Sequence, residues 1–289
     1  VRLRVADAAH LDQVRHALAE TGTGDEPAVR VCLDVDASLR VGLGLVTVHL
    51  GTRRSPLHGA RDVASLAARV VSTPGLALRG LMFYEAQVAG MPDSSLAVRA
   101  VKRLSVLELG ARRGVAVAAG RDGVGHGLEL VNSGGTGSLE TSSADAVVTE
   151  VTAGSGLYVP GLFDEYRAFR PRPSAFFGLD VVRVPGPGWA TAFGGGTGAA
   201  APPTRTRRPR DVTPGGAPPG REGAGEVQTP LHRSRGAAGA PDLGVGDRVW
   251  FRHGKAGEAM ERFDRVHLVR GDEVVDVVPT YRGEGKSFG

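Results

Sequence analysis

Two stretches decide the fold: LELVNSGGTGSLE (128–140) and VVTEVTAGSGLY (147–158). In each, a short apolar run passes into glycines beside a hydroxyl residue. The first carries Gly134, Gly135, Thr136, Gly137 and Ser138; the second carries Gly154, Ser155 and Gly156. A strand that ends this way bares several backbone N–H groups and a hydroxyl at one point, the make-up of a phosphate cradle. Either turn alone reads equally well as a tight strand-to-helix connection. Two in succession, twenty residues apart, match the phosphate site that follows the last two strands of an α/β barrel.

Upstream of these turns the chain alternates strands and helices. Residues 2–6, 29–35 and 76–84 read as strands. Residues 8–20 have helical spacing, with Leu11, Val14 and Leu18 on one face, and 61–71 repeat it with Val63, Leu66, Ala67 and Val70. A long helix is expected over 94–113, capped by Ser94 or Ser95, and a short one near 138–143. Asp34 and Asp36 alternate at the end of a strand and so share a face, suited to acid/base work or to shaping a turn. Strands alternating with helices imply a parallel sheet covered by helices. Such a sheet is either doubly wound or the closing part of a (β/α)8 barrel, and the paired glycine turns favour the incomplete barrel. The chain opens on Val1, within the first strand, so an upstream part is expected to be missing.

Past residue 172 the pattern becomes antiparallel: 175–184, 189–193, 247–252, 266–270 and 273–278 read as strands, with Gly271-Asp272 turning between the last two. The expected domains are therefore 1–172, the barrel part, and 173–289, a β-rich domain. Residues 194–224 are rich in Gly, Pro, Ala and Arg and cannot build a core. They read as a low-complexity loop or as a stretch translated out of frame.

Hydrophobic residues make up 41% of the 289, enough for a core, yet no run approaches the roughly 18 apolar residues of a membrane span. The net charge of +4 is scattered and only 5% of residues are aromatic, which argues against nucleic acid. The lone Cys32 offers no disulfide framework, so a cytoplasmic protein is expected. Of 35 basic residues only Lys102, Lys255 and Lys286 are lysines.

Around the glycine turns, several stretches together carry a family likeness: VCLDVDASLR (31–40), HLGTRRSPL (49–57), GLMFYEAQVAG (80–90), FRPRPSAFF (169–177), GEVQTPL (225–231), GDRVWFRHGKAGE (246–258) and PTYRGEGKSFG (279–289). With them the chain resembles the pyridoxal-phosphate enzymes of the alanine racemase fold, in the branch of D-threonine aldolases, D-serine dehydratases and amino acid deaminase/aldolase proteins. The resemblance covers most of the chain apart from 194–224. It implies a barrel carrying pyridoxal 5'-phosphate, a C-terminal β domain that closes the site of a partner subunit, and hence a homodimer. It implies a lyase or deaminase acting on small hydroxy amino acids, D-configured. A cofactor-binding protein without turnover and an amino-acid racemase are the alternatives; Tyr281, the only tyrosine after residue 173, does not sit in a racemase-like motif.

The resemblance places Gly134, Gly135, Thr136, Gly137, Gly154 and Ser155 at the cofactor's phosphate, with Arg54 and Tyr84 near its pyridine ring. Gln87 stands where D-threonine aldolases often carry His. Read without the resemblance, Arg53 and Arg54 make a solvated basic pair, Tyr84 a half-buried aromatic and Glu85 a solvated carboxylate. The lysine that holds the cofactor's aldehyde belongs upstream of Val1, and none of the three lysines present replaces it. His253 and Lys255 are candidates for holding a substrate carboxylate or, equally, a solvated strand end. Metal-dependent branches carry His-x-Cys or His-x-Asp at this place and another His in the segment matching 225–229. Lys255 cannot coordinate a cation while protonated, and 225–229 has no His, so no metal is expected.

Overall fold

The computed structural model describes residues 2–22, 28–43, 46–170, 172–196, 210–211, 216–217, 224–233, 242–255 and 257–287. The chain divides into two compact units, Val1–Gly154 with Tyr166–Ala168, and Ser155–Glu165 with Phe169–Gly289.

The first unit runs β1 (Leu3–Val5), α1 (Ala8–Thr21), β2 (Val29–Val35), β3 (Leu39–Leu43), β4 (Val46–Leu50), α2 (Ala60–Val71), β5 (Leu76–Phe83), α3 (Ala86–Ala89), α4 (Leu96–Val124), β6 (Leu130–Ser133), α5 (Leu139–Ser143) and β7 (Glu150–Val151). Five strands form one parallel sheet in the order β1-β2-β5-β6-β7, so each strand pairs with the next in the chain and the order never reverses. The expected α/β fold with a parallel sheet is present.

Alternation along the strands makes the sheet two-sided. Val31, Leu33, Val35, Leu81, Phe83 and Val131 point into one core with Val63, Leu66, Ala67 and Val70 of α2 and Leu109, Ala116 and Val117 of α4. Each Val, Leu or Phe of this set contributes about 1.5–3 kcal/mol as an upper bound. The opposite face is polar. Arg4 reaches Asp34 (Nε–Oδ2 3.4 Å) and Met82 (Nη1–Sδ 3.7 Å), and Asn132 donates to Glu150 (2.7 Å) and Thr152 (2.5 Å).

Helix ends follow local chemistry. Asp7 caps α1 by accepting from the Ala9 N–H, and Gly22 ends it at φ 63. Asp62 accepts from the N–H groups of Gly59 and His58 at the start of α2. Ser95, one of the two expected caps, accepts from the Val98 N–H. Helix α4 continues to Val124 rather than stopping near 113. Two glycines of the added stretch are packing positions: a Cβ on Gly120 would lie 3.3 Å from Leu81, and one on Gly123 3.0 Å from the Ala67 Cβ, whereas Gly114 has nothing within 4 Å. Close approach to α2 and β5 outweighs a cost of about 1 kcal/mol per helical glycine.

The antiparallel hairpin β3–β4 (Leu39↔Leu50, Val41↔Val48) was not expected from the sequence. It is short and carries Gly42, and Val41 and Val48 are half exposed, so it lacks the apolar face that marks a packed strand.

The second unit holds β8 (Phe176–Gly186), β9 (Trp189–Phe193), β10 (Arg210–Asp211), β11 (Gly216–Ala217), β12 (Gln228–Arg233), β13 (Arg248–Arg252), β14 (Arg265–Arg270) and β15 (Glu273–Pro279). The first six form an antiparallel sheet ordered β10-β13-β8-β9-β12-β11, and β14–β15 a separate ribbon turned at Gly271 (φ 61). Phe177 and Phe251 stack at 5.6 Å over a core with Val181, Ala192, Leu231 and Val249. The strand β12 was also not anticipated, because Pro230 interrupts its pattern; Pro230 sits opposite Thr191 in the ladder. The proposed loop 194–224 lies mostly outside the described residues.

Candidate active site

The site is built where β5 and β6 end. After Phe83 the chain places Tyr84 and Glu85, and after Ser133 it places the glycine turn, whose residues Thr136–Ser138 form a single 3-10 turn leading into α5. Glu85 ties the two together. It is only 2% exposed, so the solvated carboxylate reading is wrong. Its Oε2 accepts from the Ser133 hydroxyl (3.0 Å) and the Gly134 N–H (3.3 Å), and its Oε1 from the hydroxyls of Ser138 (2.8 Å) and Ser142 (2.5 Å). Arg113 donates to the same Ser133 hydroxyl (2.8 Å) and pairs with Asp145, which places a cation beside the buried carboxylate. A buried charge is tolerated when hydrogen bonds of this kind satisfy it. The sequence signal was present, in three serines spaced through 133–142 and an acid at the neighbouring strand end, but only folding brings them together.

Arg54 and Tyr84 meet: the guanidinium carbon lies 5.1 Å from the centre of the Tyr84 ring. The glycine turn is next to them. A Cβ on Gly135 would stand 2.7 Å from the Ala89 Cβ and 3.2 Å from the Tyr84 ring, so only glycine lets the turn pack this closely. Gly134 is held at φ 97, the left-handed region that favours glycine. Gly137 is backed by the Tyr166 ring, and the Tyr166 hydroxyl donates to the Ala89 carbonyl (3.0 Å). Thr136 is buried. The Gln87 amide nitrogen donates to the Ala37 carbonyl (2.7 Å), while its buried Oε1 has no hydrogen-bond partner among the described residues. Gly154 closes the first unit and is open to solvent; Ser155 begins a 3-10 turn in the second, where its carbonyl accepts from the Val159 N–H (3.0 Å).

Asp36 shapes the ground beneath Arg54. It accepts from the Ser38 N–H (2.9 Å), the Ser38 hydroxyl (2.8 Å) and Arg40 (2.6 Å), with His49 and His58 each 3.6 Å away. Burial opposes its ionisation, but the nearby His58 imidazole and the hydrogen bonds from Ser38 and Arg40 prevail and hold the carboxyl well below the usual range. Asp34, by contrast, is pushed up by burial against the pull of Arg4 and Arg54. Asp36 is thus a turn-forming hub. Arg112 of α4 locks the same turn by donating to the carbonyls of Asp36 (2.7 Å), His58 (3.0 Å) and Ser38 (3.1 Å).

In the second unit His253 is 2% exposed, so it is no solvated strand end. Burial holds its imidazole below the usual pKa, opposed by a hydrogen bond to the Ala175 carbonyl, and its Nε2 has no partner among the described residues. Lys255 is part-exposed and lies 3.4 Å from Glu258. Lys286 pairs with Glu284 (2.6 Å). In the first unit Lys102, buried on α4, pairs with Asp93 (2.8 Å) and lies over the Tyr166 ring (4.4 Å). Among the described residues no group of three or more His, Cys, Asp or Glu is arranged to hold a metal, and no helix is long and apolar enough to cross a membrane.

No protein-family model matches the sequence, and no curated protein matches it. Solved structures do match the fold. The D-threonine aldolase from Filomicrobium marinum superposes with a TM-score of 0.74 at 20% identity, over 98% of this chain and 69% of that one. The D-threo-3-hydroxyaspartate dehydratase from Delftia sp. HT23 gives 0.63 at 19%, over 96% and 72%. The alanine racemase from Bacillus anthracis gives 0.56 at 14%, over 98% and 74%. The fold that the sequence motifs pointed to, shared by D-threonine aldolase, hydroxyaspartate dehydratase and alanine racemase, is the fold this chain has.

Proposed function

We propose that the chain carries a pyridoxal-phosphate site at the C-terminal ends of its parallel strands and serves a lyase or deaminase of small, D-configured hydroxy amino acids, of the threonine aldolase or serine dehydratase type. The observation that carries this reading is the contact of Arg54, Tyr84 and the Gly135 turn at neighbouring strand ends. The uninterrupted strand order supports reading the first unit as an arc of a (β/α)8 barrel, whose active sites lie at this end of the strands.

The donor set fits the cofactor. In the turn from Gly134 to Gly137 the Gly135 N–H donates to the Ser138 hydroxyl (3.2 Å), which leaves the Gly137 N–H, with Thr136 beside it, to meet a phosphate; Gly154, at the end of the first unit, would belong to the second turn. Glu85 takes the Gly134 N–H for itself and so fixes the turn from behind. Tyr84 offers a flat face to a pyridine ring and Arg54 a cation to its phenolic oxygen, while Gln87 borders the site. Bound there, pyridoxal phosphate supplies an electron sink for a carbanion at the substrate α-carbon. A small amino acid as ligand, a homodimer, a cytoplasmic setting and no bound metal belong to the same proposal.

A second reading is cofactor binding without turnover: Lys102 of α4 is paired with Asp93, Lys255 with Glu258 and Lys286 with Glu284. Product analysis decides between the two. With pyridoxal phosphate added, the protein is incubated with D-threonine and D-serine. Aldehyde release marks an aldolase and ammonia release a dehydratase; neither product, with cofactor bound, establishes the second reading.

A further inference from the structure

A cavity of about 550 Å³ opens beside the Arg54–Tyr84 contact, lined by Asp36, Arg40, Thr47, His49, Arg53 and Arg54 among others. Its size is that of a small-molecule site. Its charge is unusual. The lining holds three guanidiniums and one carboxylate. Arg40 is paired with Asp36 at 2.6 Å. Arg53 and Arg54, both exposed, make no ion pair or hydrogen bond among the described residues; Arg54 lies against the Tyr84 ring and is near enough to Asp34 to pull on its carboxyl. His49 adds no charge at neutral pH, since burial and the nearby Arg53 hold its imidazole below the usual pKa. Two positive charges are therefore left over in one concave site, and Asp36 cannot serve them because it is already surrounded by Ser38, Arg40, His49 and His58.

We infer that this cavity is a subsite for a small dianion, specifically a dicarboxylate, with Arg53 as the anchor of the second carboxylate. Guanidinium forks pair bidentately with carboxylates; with Arg54 facing the cofactor, Arg53 is left for the second carboxylate, with the Thr47 hydroxyl as a further donor. The inference deepens the proposed function, on which it rests for the nature of the substrate: one of the two cations would serve the cofactor and the other would select hydroxy amino acids that bear a second acid group over those with a neutral side chain.

The test is made on the chain as it stands, without cofactor. Succinate, butyrate and inorganic phosphate are titrated by calorimetry at low salt into the unmodified protein, Arg53→Gln and, as a control for general charge, Arg30→Gln on the exposed end of β2. Arg53 bonds to nothing whose loss would unfold the chain, and circular dichroism verifies this. The expected result is succinate binding at least tenfold tighter than butyrate, weakened at least tenfold by Arg53→Gln and by added salt, and unchanged by Arg30→Gln. Equal affinity for succinate and butyrate, or an Arg53→Gln protein that binds succinate normally, overturns the inference. Phosphate bound more tightly than succinate, with the same dependence on Arg53, overturns the dicarboxylate assignment. A parallel titration with pyridoxal phosphate keeps the two proposals apart: its failure to bind sinks the cofactor reading and leaves the succinate result standing, while normal cofactor binding without succinate selectivity does the reverse.

Discussion

Replacing Glu85 by alanine is expected to cost the first unit about 3–5 kcal/mol, the range for breaking a buried, charge-assisted network. Four donors converge on this carboxylate, from Ser133, Gly134, Ser138 and Ser142. Without it the hydroxyls can turn; those of Ser133 and Ser142 are already 3.4 Å apart. The Gly134 N–H cannot turn, and an unpaired buried donor costs about 1–3 kcal/mol. The vacated side-chain volume and the loss of charge opposite Arg113 add the rest. Glu85→Gln should be far milder, about 1 kcal/mol, because its oxygen can keep Ser133 and Gly134 while its amide nitrogen donates to Ser138 and Ser142 once their hydroxyls rotate. Among the described residues all five α-helices lie in the first unit, and both tryptophans, Trp189 and Trp250, lie in the second. Urea unfolding followed by helical circular dichroism therefore reports the unit that was changed, and tryptophan fluorescence the other. The helical transition of Glu85→Ala should also shift down by on the order of 10 °C on heating. An alanine variant within 1 kcal/mol of the parent, or a glutamine variant as damaged as the alanine one, would refute the network as described.

Other outcomes follow from single groups. Asp36 has its pKa depressed in the fold, so the stability it adds is complete above its unfolded value of about 4 and drains away as pH falls below that; Asp36→Asn should flatten this acid limb in urea midpoints measured from pH 6 to 3, and an unchanged limb would contradict the hub. The Cys32 thiol is buried and pushed up to about 12, chiefly by burial and then by Asp34, so a thiol reagent at pH 8 should label it only after unfolding; fast labelling of the native protein would be inconsistent with β2 as placed. Gly135→Ala forces a methyl against Ala89 and Tyr84 and should cost about 1–3 kcal/mol along with at least tenfold in pyridoxal-phosphate affinity, read by calorimetry; a neutral effect on both would remove this turn from the site.

The parallel sheet was legible because its strands carry an apolar alternation strong enough to mark each within a few residues, as in Val31, Leu33 and Val35. The glycine turns were legible for a similar reason, since a run of glycines at a strand end has few structural uses. What escaped detection depends on contacts between distant residues. Glu85 looks like any surface acid until Ser133, Ser138 and Ser142 close over it. The hairpin β3–β4 carries no buried stripe, and Pro230 hides β12. Helix α4 runs past its expected end near 113, and its Gly120 and Gly123 are accounted for only by the close approach of β5 and α2. The charge surplus at Arg53 and Arg54 likewise became apparent only when Asp36 proved to be occupied elsewhere.

The central claim is that the glycine turn beside Arg54 and Tyr84 grips a pyridoxal cofactor by its phosphate. The direct measurement compares the affinity of the purified protein for pyridoxal phosphate and for pyridoxal, by calorimetry, with inorganic phosphate as competitor. The account predicts one site per chain, at least tenfold preference for the phosphorylated form, and displacement by phosphate. Equal binding of the two forms, or binding that phosphate leaves untouched, would contradict it.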